Sequence, residues 1–136
     1  MAAPIQRLAS DPPGPYEGTV GYSRVVRAGA HVWVAGCTAL DPFGVVQGAT
    51  PGEQMLLALE NVLAALERVG AGAKDVVRTR MFVTDISRWE EIGRAHGSVF
   101  ADVRPVTAMY EVSGLIDPRM LVEVEADAFV DDDSAR

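Results

Sequence analysis

The sequence predicts an α+β fold, a mixed sheet with two helices packed on one face, and three observations carry that prediction. Two stretches near the C-terminus alternate with the period of two that a half-buried strand requires. In the first, Val106, Ala108, Tyr110 and Val112 point one way and Thr107, Met109 and Glu111 the other; in the second, Val122, Val124, Ala126 and Ala128 form the apolar face and Glu123, Glu125 and Asp127 the opposite one. Two further segments open with capping boxes, Thr50-Pro51-Gly52-Glu53 and Ser87-x-x-Glu90, which mark helix starts. Strand–helix–strand units of this length make right-handed crossovers between parallel strands, whereas a hairpin and the two final strands add antiparallel pairs.

The elements follow in order. Residues 1–21 are rich in Pro and Gly around Asp11-Pro12-Pro13-Gly14-Pro15, so only Ile5-Gln6-Arg7-Leu8 is read as a short edge strand, followed by an irregular loop. Residues 22–28 and 31–37 read as a hairpin with Gly29-Ala30 at its turn, and Val25, Val32, Trp33 and Val34 supply its β-forming side chains. Asp41-Pro42-Phe43-Gly44 is a turn signal. The first helix runs from Pro51 towards Gly70, which is placed to end it in a left-handed cap. Leu56, Leu59, Leu63 and Leu66 are expected to face the sheet, with Glu53, Glu60 and Glu67 on a wetter side. Residues 74–83 form the next strand, where Arg78 and Arg80 share a face and can neutralise the carboxylate stripe if the strands are neighbours. In the second helix Trp89, Ile92, His96 and Val99 fall on one side. Residues 22–130 thus form one folded domain, and Asp131-Asp132-Asp133-Ser134 begins a solvated acidic tail over 131–136.

Bulk properties narrow the function classes. With 49% hydrophobic residues the 136-residue chain is globular rather than disordered. A net charge of −7 disfavours phosphate backbones and anionic membrane surfaces, so no nucleic-acid or membrane partner is expected. No apolar run reaches the length of a membrane span, and the N-terminus lacks a charged-then-apolar leader layout. One cysteine forms no intrachain disulfide, and the cytoplasm is the default location. With no CxxC or HExxH pattern and two separated histidines, no metal is expected.

An ordered series of short motifs then carries a family resemblance. Tyr22-Ser23, Val34-Ala35-Gly36-Cys37, Glu53-Gln54, Glu60-Asn61, Val83-Thr84-Asp85, Phe100, Arg104-Pro105 and Val122-Glu123-Val124-Glu125-Ala126 together resemble the RidA (YjgF/YER057c/UK114) family. The resemblance implies a chorismate-mutase-like fold, a homotrimer with a ligand cleft at each subunit interface, and cofactor-free hydrolysis of reactive enamines and imines to keto acids and ammonia. It also exposes a departure: where active members carry the arginine of a Pro-x-Arg motif, which grips the substrate carboxylate, this chain has Thr107. Cys37 and Gly93 likewise stand where the family has a glutamine and often an asparagine.

By that resemblance Glu123 takes the place of the water-positioning glutamate, the catalytic candidate; the competing reading is a structural carboxylate paired with Arg78 or Arg80. The expected ligand-binding residues are Tyr22, Cys37 and Thr107, with Arg104 or Arg119 nearby, and Arg24 is a further arginine that can replace the missing one. Each has a plainer alternative. Tyr22 is also a half-buried strand aromatic, Thr107 a strand threonine, and Cys37 a small hydrophobe. A Cys37 nucleophile needs a base, and only His96 is available, on the apolar stripe of its helix. The leading expectation is a small-molecule hydrolase or deaminase with Glu123 orienting water. The alternatives are a non-catalytic trimer that binds a metabolite or protein partner, and an enzyme for a neutral or aromatic substrate.

Overall fold

The computed structural model describes residues 4–131 of the chain. Six strands build one mixed sheet: β1 (Gln6–Leu8), β2 (Val25–Ala28), β3 (His31–Cys37), β4 (Val76–Val83), β5 (Val106–Glu111) and β6 (Val122–Phe129). Their spatial order is β1-β2-β3-β6-β4-β5. All neighbours are antiparallel except β4 and β5, which are parallel. The three helices are α1 (Glu17–Val20), α2 (Pro51–Arg68) and α3 (Trp89–Phe100). The α+β class, the β2–β3 hairpin across Gly29-Ala30 and the parallel β4–α3–β5 unit all match the sequence reading.

Both ends of α2 are built as the sequence implies. Thr50 Oγ1 accepts the Glu53 amide at 3.2 Å with Pro51 at the first helical position, although Glu53 itself reaches Ala49 N rather than Thr50. At the other end Gly70 takes φ 79°, its N–H donates to Glu67 O, and that of Ala71 donates to Leu66 O. That pair of bonds is a Schellman cap.

The core lies between the helices and one sheet face. Val25, Val32 and Val34, with Val122, Val124, Ala126 and Ala128, pack against Met55, Leu59, Val62, Leu66 and Ile92. Burying side chains of this size stabilises the fold by about 1.5–3 kcal/mol each. The packing corrects the expected leucine stripe. Its axis runs through Gln54, Met55, Ala58, Leu59, Val62, Ala65 and Leu66, while Leu56 is 43% exposed and Leu63 only half-buried. At 100° per residue Met55, Leu59, Val62 and Leu66 share a face that also carries Ala58 and Ala65, whereas Leu56 and Leu63 lie to one side of it.

Four further expectations change. The loop after β1 contains the one-turn helix α1, closed by Gly21 in the left-handed region. Tyr22 precedes β2 rather than opening it. The cap before α3 is Asp85, whose Oδ1 accepts from Ser87 N at 3.0 Å and Ser87 Oγ at 2.6 Å; Ser87 lies inside a 3-10 turn, and Trp89 is exposed. Finally, β5 and β6 are not neighbours, because β6 inserts between β3 and β4 and buries its apolar face more fully there. Beyond Asp131 the expected acidic tail lies outside the described residues.

The sheet face away from the helices carries the carboxylate stripe. Arg80 Nη1 lies 3.3 Å from Glu125 and 3.6 Å from Asp127, so it neutralises two of the three carboxylates, and Glu123 is left out. Around this stripe Trp33, Tyr110, Val106 and Phe129 are 45%, 48%, 60% and 43% exposed.

Candidate functional site

Glu123 leaves the stripe because β3 bulges beside it. The register between β3 and β6 shifts between Val34 and Cys37, and the extra residue bends the strand away from its partner. Gly36 sits in that bulge against the Glu123 side chain: a Cβ added there would lie 2.8 Å from Glu123 Cδ and Oε1. Only a glycine lets the carboxyl lie flat along this strand.

The bulge opens a cavity of about 350 Å³ at the end of β3, within the usual size of a small-molecule pocket. Tyr22, Arg24, Cys37 and Glu123 line its polar side, and residues 10–16 form its roof. Its apolar wall comes from Leu40, Phe43, Ile116 and Met120. Two amides from the resemblance motifs shape that wall. Asn61 Nδ2 donates to Thr38 O and Leu40 O at 2.9 and 3.0 Å. Buried Gln54 donates to Gly48 O and Arg119 O and accepts from Leu121 N, tying the loop before α2 to the loop before β6.

The roof hangs on Glu17 at the start of α1. Its carboxylate, 5% exposed, accepts the amides of Ser10 at 2.8 Å and Gly14 at 2.6 Å. Burial pushes this carboxyl upward, but the amides of Ser10 and Gly14 outweigh burial and hold it below the usual range. A proline-rich loop has few amides to pair, and one buried carboxylate gathers two of them.

Arg24 supplies the positive charge. Its Nη1 donates to Ala35 O at 3.0 Å and Gly36 O at 2.7 Å and lies 3.3 Å from Cys37 Sγ. Its Nε donates to Ser10 Oγ at 3.2 Å, and its Nη2 reaches the Tyr22 hydroxyl at 3.4 Å. Burial pushes the carboxyl of Glu123 above its ordinary range, an effect that Arg24 opposes and Glu125 reinforces. No cation lies within 4.0 Å of Glu123 among the described residues. The pairing with Arg78 or Arg80 considered from the sequence is therefore not formed.

The other candidates divide. Tyr22, Cys37 and Glu123 come together as expected. Cys37 is 3% exposed and burial pushes its thiol up, which suits a small hydrophobe better than a nucleophile. His96 is not its base, since His96 Nε2 lies 2.8 Å from Thr79 Oγ1 and its ring packs on Phe100. Thr107, Arg104 and Arg119 lie outside the cavity wall of their own chain. Thr107 Oγ1 accepts from Thr79 Oγ1 at 2.7 Å on edge strand β5. Arg104 has φ 55° just ahead of β5, and Arg119 is held by Asp117, whose carboxyl that contact lowers to about 2. Sequence reasoning gave Gly36 and Glu17 no role and mentioned Arg24 only as a substitute. The clearest signal was spacing: Arg24 stands two residues after Tyr22, so an extended chain points both the same way.

Comparisons with known proteins agree with this architecture. A crystal structure of Rv2704 from Mycobacterium tuberculosis, described as a member of the YjgF/YER057c/UK114 family, is 46% identical, covers 93% of this chain and 100% of its own, and superposes with a TM-score of 0.85. An uncharacterized Streptomyces coelicolor protein, SCO2049, is 38% identical over 92% of both chains. A human 2-iminobutanoate/2-iminopropanoate deaminase is 28% identical over 93% of this chain and 91% of its own. The family model described as Endoribonuclease L-PSP matches residues 15–130. With bulge, glycine and glutamate set in that fold, the chain belongs to the RidA (YjgF/YER057c/UK114) family.

Proposed function

We propose that the chain hydrolyses a small reactive imine or enamine to a carbonyl compound and ammonia, with Glu123 orienting and deprotonating the attacking water. The observation that carries this reading is the state of Glu123: half-buried in the cavity wall, without a cation within 4.0 Å among the described residues, and raised above the ordinary carboxylate range by burial. A base poised in this way accepts a proton near neutral pH more readily than a surface glutamate. Water adds to the C=N carbon, Glu123 takes its proton and returns it to nitrogen, and the carbinolamine collapses to C=O and ammonia. The name of the human relative supports imine chemistry at this coarse level, and the net charge of −7 argues against a polynucleotide substrate.

In this reading the cleft is completed by neighbouring copies in a homotrimer. The exposed aromatic residues around the carboxylate stripe supply an apolar surface for such packing, and β5 brings Thr107 and Arg104 to an edge from which they can reach a neighbour's cavity.

The test is ammonia and keto-acid release from 2-imino acids generated in situ. Glu123→Gln is expected to lose about a hundredfold or more in kcat/KM, and the wild-type value to fall with pH through the raised carboxyl pKa. A fully active variant would sink the assignment. One observation favours a second reading, a non-catalytic metabolite-binding protein: Thr107 replaces the family's arginine, and its hydroxyl is already engaged by Thr79. Ligand binding without turnover would favour that reading.

A further inference from the structure

Opposite charges in one cavity that do not touch call for an explanation. Arg24 and Glu123 both line the space at the end of β3, yet no ion pair within 4.0 Å joins them among the described residues. Arg24 is held in place from behind. Its Nη1 and Nε are taken up by the carbonyls of Ala35 and Gly36 and by Ser10 Oγ, which fixes the plane of the guanidinium. The remaining edge, Nη2, has only the Tyr22 hydroxyl at a long 3.4 Å, and the guanidinium carbon stands 5.5 Å from the centre of the Tyr22 ring. A guanidinium immobilised by main-chain carbonyls cannot swing across to Glu123, so the gap is maintained by the fold.

We infer that Arg24, with the Tyr22 hydroxyl, is the group that holds a ligand carboxylate in this site, in place of the Pro-x-Arg arginine whose position Thr107 occupies. One carboxylate oxygen accepts from Nη2 and the other from the Tyr22 hydroxyl, a charge-assisted pair of bonds made from one edge. The carbon next to the carboxylate then lies towards Glu123 across the unfilled gap. The side chain runs along Leu40, Ile116 and Met120, where 350 Å³ leaves room for several carbons beyond the reacting centre. The chain thus keeps a substrate-gripping arginine although Thr107 stands in the Pro-x-Arg position, with the cation supplied from the start of β2. This inference rests on the cavity assigned above and adds the residue that selects the substrate.

The experiment compares binding of 2-oxohexanoate with that of 2-oxohexanamide, its uncharged counterpart, by titration calorimetry. Wild type is expected to prefer the acid by about tenfold or more, as a charge-assisted contact implies. Arg24→Gln should abolish that preference, and Arg24→Lys should restore part of it. Equal affinities for acid and amide in wild type would overturn the inference whether or not any variant folds. So would a preference that survives in folded Arg24→Gln. The two readings fail separately. Turnover of imines without acid preference would leave the hydrolytic reading standing and remove the anchor. Acid preference that persists in Glu123→Gln, in a protein without turnover, would do the reverse.

Discussion

Adding a single methyl group at Gly36 tests whether the position of Glu123 matters. The backbone at Gly36 does not have the positive φ that excludes side chains, so alanine is conformationally permitted there. Its Cβ would lie 2.8 Å from Glu123 Cδ and Oε1, and ordinary contact begins at 3.4 Å. The carboxyl therefore has to move by about 0.6 Å, and misplacing a reacting group by roughly 1 Å can cost about a hundredfold in rate. Replacing a strand glycine lowers unfolded-chain entropy by about 0.5–1 kcal/mol, whereas overpacking costs about 1–3 kcal/mol. The net change is small against the roughly 5–15 kcal/mol stability of a domain, so the variant folds. Gly36→Ala is expected to lose about ten- to a hundredfold in imine hydrolysis, with a melting transition still cooperative. In a Glu123→Gln background the same alanine should cost almost nothing further, because the group it displaces no longer acts. Full activity in Gly36→Ala, or equal losses with and without Glu123, would refute the placement of the base.

The remaining predictions concern the roof and the assembly. Glu17→Gln leaves one of the amides of Ser10 and Gly14 facing an amide donor, and should cost about 1–3 kcal/mol in urea denaturation; an unchanged midpoint would mean that the roof does not hang on this carboxylate. Light scattering is expected to give three times the 14.5 kDa chain mass, and a stable monomer would remove the shared cleft from the functional reading.

What the sequence determined by itself is what depends on neighbours along the chain. Period-two alternation in residues 122–128 marked a strand with one buried face, and it is buried as marked. Thr50, Pro51 and Gly70 marked both ends of α2, since capping bonds span only three to five residues. The motif series carried the family and brought Tyr22, Cys37 and Glu123 to one place.

Tertiary structure decided the rest, because it depends on which distant segments meet. The insertion of β6 between β3 and β4 selected the partners of the carboxylates, giving Glu125 and Asp127 to Arg80 and leaving Glu123 without an ion pair among the described residues. Gly36 inside a strand pattern is compatible with a bulge, but the register shift itself appears only where β3 pairs with β6. From sequence Arg24 is one of three arginines that can replace the missing one, and it stands out only when two main-chain carbonyls eleven and twelve residues away converge on its guanidinium. Local rules set where α2 begins and ends, but the direction a charge faces is set by the packing of the whole sheet.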